Sequence, residues 1–137
     1  MAIQVITDAF VSINSVDLSD HCKAVTLSYE AEMQDTTTMG TDGTRAFIPG
    51  LKNWTLSLEL EQDYAAGSVD ATLFALVGAT AFPIIVRPNS AVKGTDNPEF
   101  TGSAVLESYN PVAGTVGDLA MCTASFRPAS ALGRATS

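Results

Sequence analysis

A segment in the middle of the chain decides the class of fold. Between Lys52 and Asp63, Trp54, Leu56, Leu58 and Leu60 alternate strictly with Thr55, Ser57, Glu59 and Glu61. A period of two puts one set on each face of an extended strand, so the segment reads as a half-buried β-strand. In a helix the same four apolar residues would be spread around the axis. Val25, Leu27 and Tyr29 repeat the pattern against Thr26, Ser28, Glu30 and Glu32, continuing to Met33. The expected core therefore contains Trp54, Leu56, Leu58 and Leu60, joined by Val25, Leu27 and Tyr29.

Short strands with turn punctuation fill most of the remaining chain. Ala9–Ile13 and Val16–Leu18, separated by Asn14-Ser15, read as a tight hairpin or a kinked pair of strands. Further strands are expected at Ala81–Arg87, Gly102–Tyr109 and Leu119–Phe126. One helix stands out, from Ser68 at the N-cap to Gly78 at the stop, with Val69, Leu73, Leu76 and Val77 as its apolar stripe. Residues 34–50 are rich in Thr, Gly and Asp and too long for an ordinary hairpin turn, so they are expected to form a long loop. Residues 128–137 are small and weakly patterned and read as a C-terminal arm. No repeat or linker divides the 137 residues. The expectation is a single domain over 1–137: all-β with one α-helix, an antiparallel β-barrel or sandwich.

Composition narrows the function. The net charge is -8, with 7 basic residues against 15 acidic ones. The basic residues are scattered, which argues against a free nucleic-acid binder. Met1-Ala2-Ile3-Gln4 carries no signal-peptide pattern, and no apolar run is long enough for a spanning helix. Cys22 and Cys122 stand alone, without CxxC or His neighbours. They read as two free buried thiols in a protein made in the cytoplasm.

Catalytic chemistry finds no motif. His21 is the single histidine, and no serine sits in a nucleophile elbow. Asp20, His21 and a serine could be drawn as a triad, but a polar turn is the better reading. Glu59 and Glu61, two residues apart on one strand face, are neighbours on a wet surface and not an acid–base pair. Thr41-Asp42-Gly43-Thr44 lacks the acidic density of a calcium loop, and Gly114-Thr115-Val116-Gly117 has no following lysine to make a phosphate loop. No catalytic, metal or cofactor site is expected, and the protein is not expected to be an enzyme. The polar strand faces carry Glu30, Glu32, Glu59, Glu61 and Asp63 without a lysine or arginine among them. Solvated strand faces ordinarily mix both signs.

The order of elements and several short phrases complete the reading. Ile13 to Leu27, with Asn14-Ser15-Val16-Asp17-Leu18, is followed by Gly50-Leu51-Lys52-Asn53-Trp54-Thr55-Leu56 running on to Asp63. Gly67-Ser68-Val69-Asp70 and Gly117-Asp118-Leu119-Ala120-Met121 come after it. Over nearly its whole length the chain resembles the major tail tube proteins of long-tailed, siphovirus-type bacteriophages, particularly those of actinobacterial hosts. The resemblance implies hexameric rings whose strands join into a continuous barrel, with the helix packed on the outside. It implies rings stacked into a tube around a tape-measure protein, within a virion tail, conducting double-stranded DNA at ejection without sequence-specific binding. On that reading Glu30, Glu32, Glu59, Glu61 and Asp63 line the lumen. Met39, Phe47 and Ile48 in the 34–50 loop make contacts between subunits, across stacked rings. The alternatives are a carbohydrate- or receptor-binding β-module, or another virion tail component.

Overall fold

The computed structural model describes residues 3–137 and consists of one 8-stranded sheet and one helix. The strands are β1 (Phe10–Ile13), β2 (Val16–Asp17), β3 (Cys22–Asp35), β4 (Phe47–Glu61), β5 (Phe82–Arg87), β6 (Glu99–Tyr109), β7 (Met121–Pro128) and β8 (Gly133–Ala135). The helix α1 spans Val69–Leu76. Across the sheet the order is β2, β1, β5, β6, β7, β4, β3, with β8 paired to β6, and every pairing between these strands is antiparallel.

The β1–β2 hairpin turns through Asn14 and Ser15, both with positive φ (50° and 69°). That is the backbone sign a two-residue primed turn needs to follow strand twist. The alternation in β4 works as its period requires: Trp54, Leu56, Leu58 and Leu60 are all buried, while Ser57 and Glu59 are exposed. They pack with Val11, Ile13, Ile84, Leu106, Ala124 and Phe126 into a single apolar cluster, in which Phe82 meets Phe126 edge to face at 5.9 Å. Val69, Leu73 and Leu76 of α1 belong to the same cluster, so the helix covers the leucine face, opposite the Thr/Ser/Glu face.

Two core expectations are corrected. Tyr29 is 55 % exposed although Trp54 opposite it is buried, because Tyr29 lies on β3, the last strand of the sheet, with no further strand beside it; Val25 and Leu27 are half-buried against the core. Val77 leaves the helical stripe: α1 ends at Leu76, and Val77 turns extended to bridge Leu106 in parallel.

The expected 34–50 loop is shorter in the structure. β3 and β4 pair as far as Asp35 with Phe47, across a register shift between Ala31 and Met33, so the connection covers only residues 36–46. Gly50 faces the Glu32 backbone at this shift; a Cβ there would lie 3.4 Å from the Glu32 carbonyl oxygen. The C-terminal segment is docked as well. Trp54 Nε1–H donates to the Ser130 carbonyl at 2.8 Å, and β8 pairs with the start of β6. Gly102 makes this possible, since a Cβ at that position would sit 2.9 Å from the Trp54 ring.

The thiols are free, and the register explains why. Leu60 lies opposite Cys22 on one side and opposite Cys122 on the other. Their backbones are therefore two strand spacings apart, about 10 Å, beyond the roughly 7 Å a disulfide spans.

Candidate functional site

The features that can carry function are surfaces. Strand β3 is the end of the sheet, and β2 is the other end. Among the described residues the two do not pair, so the rolled sheet stays open and β3 presents a 14-residue edge. An edge of that length is a template for another strand. Beside it an apolar cleft of about 420 Å³ lies between Val25, Leu27 and Tyr29 of β3 and Val86, Phe100 and Leu132. The molecule exposes 8534 Å², against about 6,800 Å² for a compact monomer of its mass. The surplus is comparable to two faces of standard-size interfaces.

The polar face is real, and the register assembles it. Thr26 lies opposite Ser57, Ser28 opposite Thr55, and Glu30 opposite Asn53; Ser57 and Glu59 lie opposite Ser125 and Thr123 of β7. Of the five acidic residues expected on this face, three stand in the open, Glu30 and Glu32 on β3 and Glu59 farther along the register, opposite Ala24. Glu30, Glu32 and Glu59 are exposed and, among the described residues, none has a cation within ion-pair distance; Glu32 accepts a hydrogen bond from the Gln34 amide. Glu61 is different, because a register shift at the start of β3 brings Lys23 to 3.5 Å from it. Asp63 lies beyond the end of β4, where its carboxylate accepts from the Ala65 N–H and stands 2.9 Å from His21 Nε2. These bonds, the Ala65 N–H first, then Ser68 and His21, hold its carboxyl below the usual carboxylate range.

The expectation of a cation-free face is therefore corrected: Lys23 sits on its margin, and Arg127 of β7 pairs with Glu107. That pairing was invisible to strand-by-strand reading, since it depends on which strands become neighbours. The Arg127 bond holds the Glu107 carboxyl below its ordinary value.

The β3–β4 hairpin extends beyond the body of the sheet as an arm. Its head is braced internally: Thr36 N–H donates to the Ala46 carbonyl, Ala46 N–H to Thr37 Oγ1 at 2.8 Å, and Arg45 pairs with Asp35 at 2.9 Å. Met39 is in this head; Phe47 and Ile48 lie in β4 itself, not in a loop, and all three are exposed. Met33, to which the alternation of β3 continues, and Leu51 add to the exposed apolar surface of the arm.

Among the described residues no group of three or more His, Cys, Asp or Glu could hold a metal. The His21–Asp63 pair joins the turn before β3 to the loop after β4. A second polar chain, Gln62 to Tyr109 to Asp70, fastens α1 to β6, and burial followed by the nearby Asp70 pushes the Tyr109 hydroxyl's pKa up. The exposed aromatics Tyr29, Tyr64, Phe47 and Phe74 are more numerous than the sequence suggested, but they are spread over the arm, a loop and the helix.

The sequence matches no protein-family model and no curated protein. Solved structures do share the fold. A chain of the native gene transfer agent virion aligns with a TM-score of 0.76 at 17 % identity, over 97 % of this chain and 99 % of that one. A chain from the tail of an empty gene transfer agent particle, refined helically with C6 symmetry, aligns at 0.77 with the same identity and coverage. A chain of an extracellular contractile injection system, the PVC sheath–tube complex in its extended state, aligns at 0.70 and 11 % identity, over 98 % and 92 %. The chain thus shares its antiparallel, single-helix fold with these chains of gene transfer agent particles and of a contractile injection system.

Proposed function

We propose that this chain is the repeating structural subunit of a phage-type tail tube. Six copies close laterally into a ring, and rings stack into a tube within the virion tail around a tape-measure protein. The observation that carries this reading is the end-to-end fold match with a chain from a C6-refined tail. Three features of the chain agree with it: the unpaired β3 edge, the surplus exposed area, and a face of Thr, Ser and Glu opposite the helix. With that face inward, α1 lies on the outside. Glu30, Glu32 and Glu59 then meet passing double-stranded DNA with like charge, while Glu61 and Asp63 contribute less because they are already paired. The role is structural, not enzymatic, and needs no cofactor.

Negative-stain microscopy of the purified protein tests the proposal. Rings or tubes are the expected result; persistent monomers at every concentration and salt would reject it. A second reading, a different tail component, draws on one observation. A hub adsorption protein of a phage infecting Gram-positive hosts aligns at a TM-score of 0.51, with 90 % of this chain covering half of that one. The higher scores over whole chains favour the tube.

A further inference from the structure

The open seam of the rolled sheet is bordered by a segment of the same chain that fits it. Along β1, β5, β6, β7, β4 and β3 each strand runs antiparallel to the next, so β1 and β3 run in opposite senses. The free edge of β1 is used at its far end only: Ile13 pairs with Val16, Leu18 N–H donates to the Val11 carbonyl, and Val11 N–H donates to Ser19 Oγ. Residues 3–9 extend β1 backwards and, among the described residues, belong to no strand. They face the start of β3 across two adjoining clefts. In one, of about 330 Å³, Ile6, Thr7 and Ala9 stand against Cys22, Lys23, Ala24 and Val25. In the other, the cleft of about 420 Å³, Ile6 and Ala9 stand against Val25, Leu27 and Tyr29.

Sequence and length suit this segment to the edge it faces. Ile3, Val5, Ile6 and Thr7 are β-branched and favour extended backbone. Ile3 and Val5 are 84 % and 82 % exposed, and Ile6 is 61 % exposed, so their apolar surface has no cover. Extended at about 3.3 Å per residue, 3–9 spans roughly 23 Å, the length of Cys22 to Phe-sized Tyr29 along β3. What holds the segment off β3 is a set of side-chain hydrogen bonds at the surface. The Gln4 amide donates to the Asp96 carbonyl at 3.4 Å, the Asn89 amide to Gln4 Oε1 at 3.2 Å, and Ser90 Oγ to Asp8 at 2.7 Å. Exposed bonds of this kind exchange readily with water.

We propose that residues 3–9 are a strap that closes on the β3 edge of the free subunit as an added antiparallel strand over Cys22–Tyr29. Closure exchanges three surface hydrogen bonds for ladder bonds and for burial of apolar side chains in the cleft. The closed strap and a neighbouring copy compete for one edge, so the strap restrains lateral association until it opens. That regulatory role rests on the tube reading; the closure itself does not.

The test separates the two. Val5 and Ile6 point to opposite faces of an extended segment, so Val5→Asp with Ile6→Asp breaks the closed strap in either register. Both are exposed, and the variant should fold. In hydrogen exchange on soluble full-length protein, amides of 22–29 should exchange several-fold faster in the variant, with 30–35 unchanged. Ile6→Cys and Thr7→Cys, made separately, offer native Cys22 a thiol from either face. Under mild oxidation one of them should form a disulfide to Cys22 within a single chain. That staple should block assembly until it is reduced, and the same variant with Cys22→Ser should assemble in both conditions. The Val5→Asp, Ile6→Asp protein should assemble with a several-fold shorter lag than wild type. Unchanged exchange at 22–29, no disulfide from either thiol, or a disulfide that joins two copies would overturn the strap. Normal assembly of the stapled chain or an unchanged lag would overturn its restraint on association. Wild-type protein that never assembles, with the exchange and disulfide results as expected, rejects the tube reading and keeps the strap.

Discussion

Trp54 illustrates how one residue ties distant parts of the chain. Its ring packs on the bare backbone of Gly102, and its indole N–H holds the Ser130 carbonyl. Gly102→Ala would force the ring against a Cβ at 2.9 Å, with an expected loss of roughly 1–3 kcal/mol by overpacking, measurable by urea unfolding. Leu58, 1 % exposed in the centre of the cluster, should cost about 2–5 kcal/mol when truncated to Ala. A change near zero would mean that the leucine face is not the core. Burial raises the Cys122 thiol to about 11, so at pH 8 thiol reagents should modify it only on unfolding, while half-buried Cys22 reacts sooner. At the acid end, Asp35 is held low by Thr37 and Arg45, Asp63 by Ala65, Ser68 and His21, and Glu107 by Arg127. Depressed carboxyls contribute stability that is present above their unfolded values and lost as pH falls through the native ones. The melting temperature should therefore hold down to about pH 5 and fall below about pH 4.

At the scale of elements, period two made β4 and β3 legible, and the Ser68–Gly78 signals made the helix legible, because each follows from local geometry alone. Leu73 faces the common cluster at 0 % exposure, so Leu73→Asp should abolish soluble expression by burying an unpaired carboxylate; wild-type yield would contradict that packing. What the sequence hid depends on neighbours. Tyr29 has the right parity for the core but lies on the edge strand β3, with no strand beyond it, while Trp54 opposite it is covered by Gly102 and the Ser130 segment. The arm was hidden because the register shift at Ala31–Met33 breaks the alternation just where pairing continues to Asp35 and Phe47. Thr- and Gly-rich composition then read as loop. The Arg127–Glu107 and Lys23–Glu61 pairs were equally out of reach, since each joins residues whose proximity only the strand order or register creates. Replacing 36–46 by a tight turn should leave the body folded, as β4 pairs with β7 independently of it, but should stop tube growth. Normal tubes from that variant would remove the arm from the assembly.

For the molecule as a whole, the proposed orientation of the polar face has the most direct consequence. Glu30 and Glu59 share that face by register and lack cation partners among the described residues. Glu61 is a poorer probe, because Lys23 already offsets its charge. If the face lines a six-membered ring, passing phosphates meet like charge without a binding well, and DNA slides. Changing Glu30 and Glu59 to Lys would place roughly twelve new positive charges in each ring and create counterion-releasing contacts that hold DNA. The leucine face is untouched, so tubes should still form with wild-type diameter. Genome ejection should slow strongly at low salt and recover as salt rises, because the slope with salt follows the number of phosphates held. DNA release from particles carrying the double variant, timed at several salt concentrations, reads this directly. Wild-type release at every salt concentration would show that Glu30 and Glu59 face away from the DNA path, and the lumen would then have to be built from another surface of the subunit.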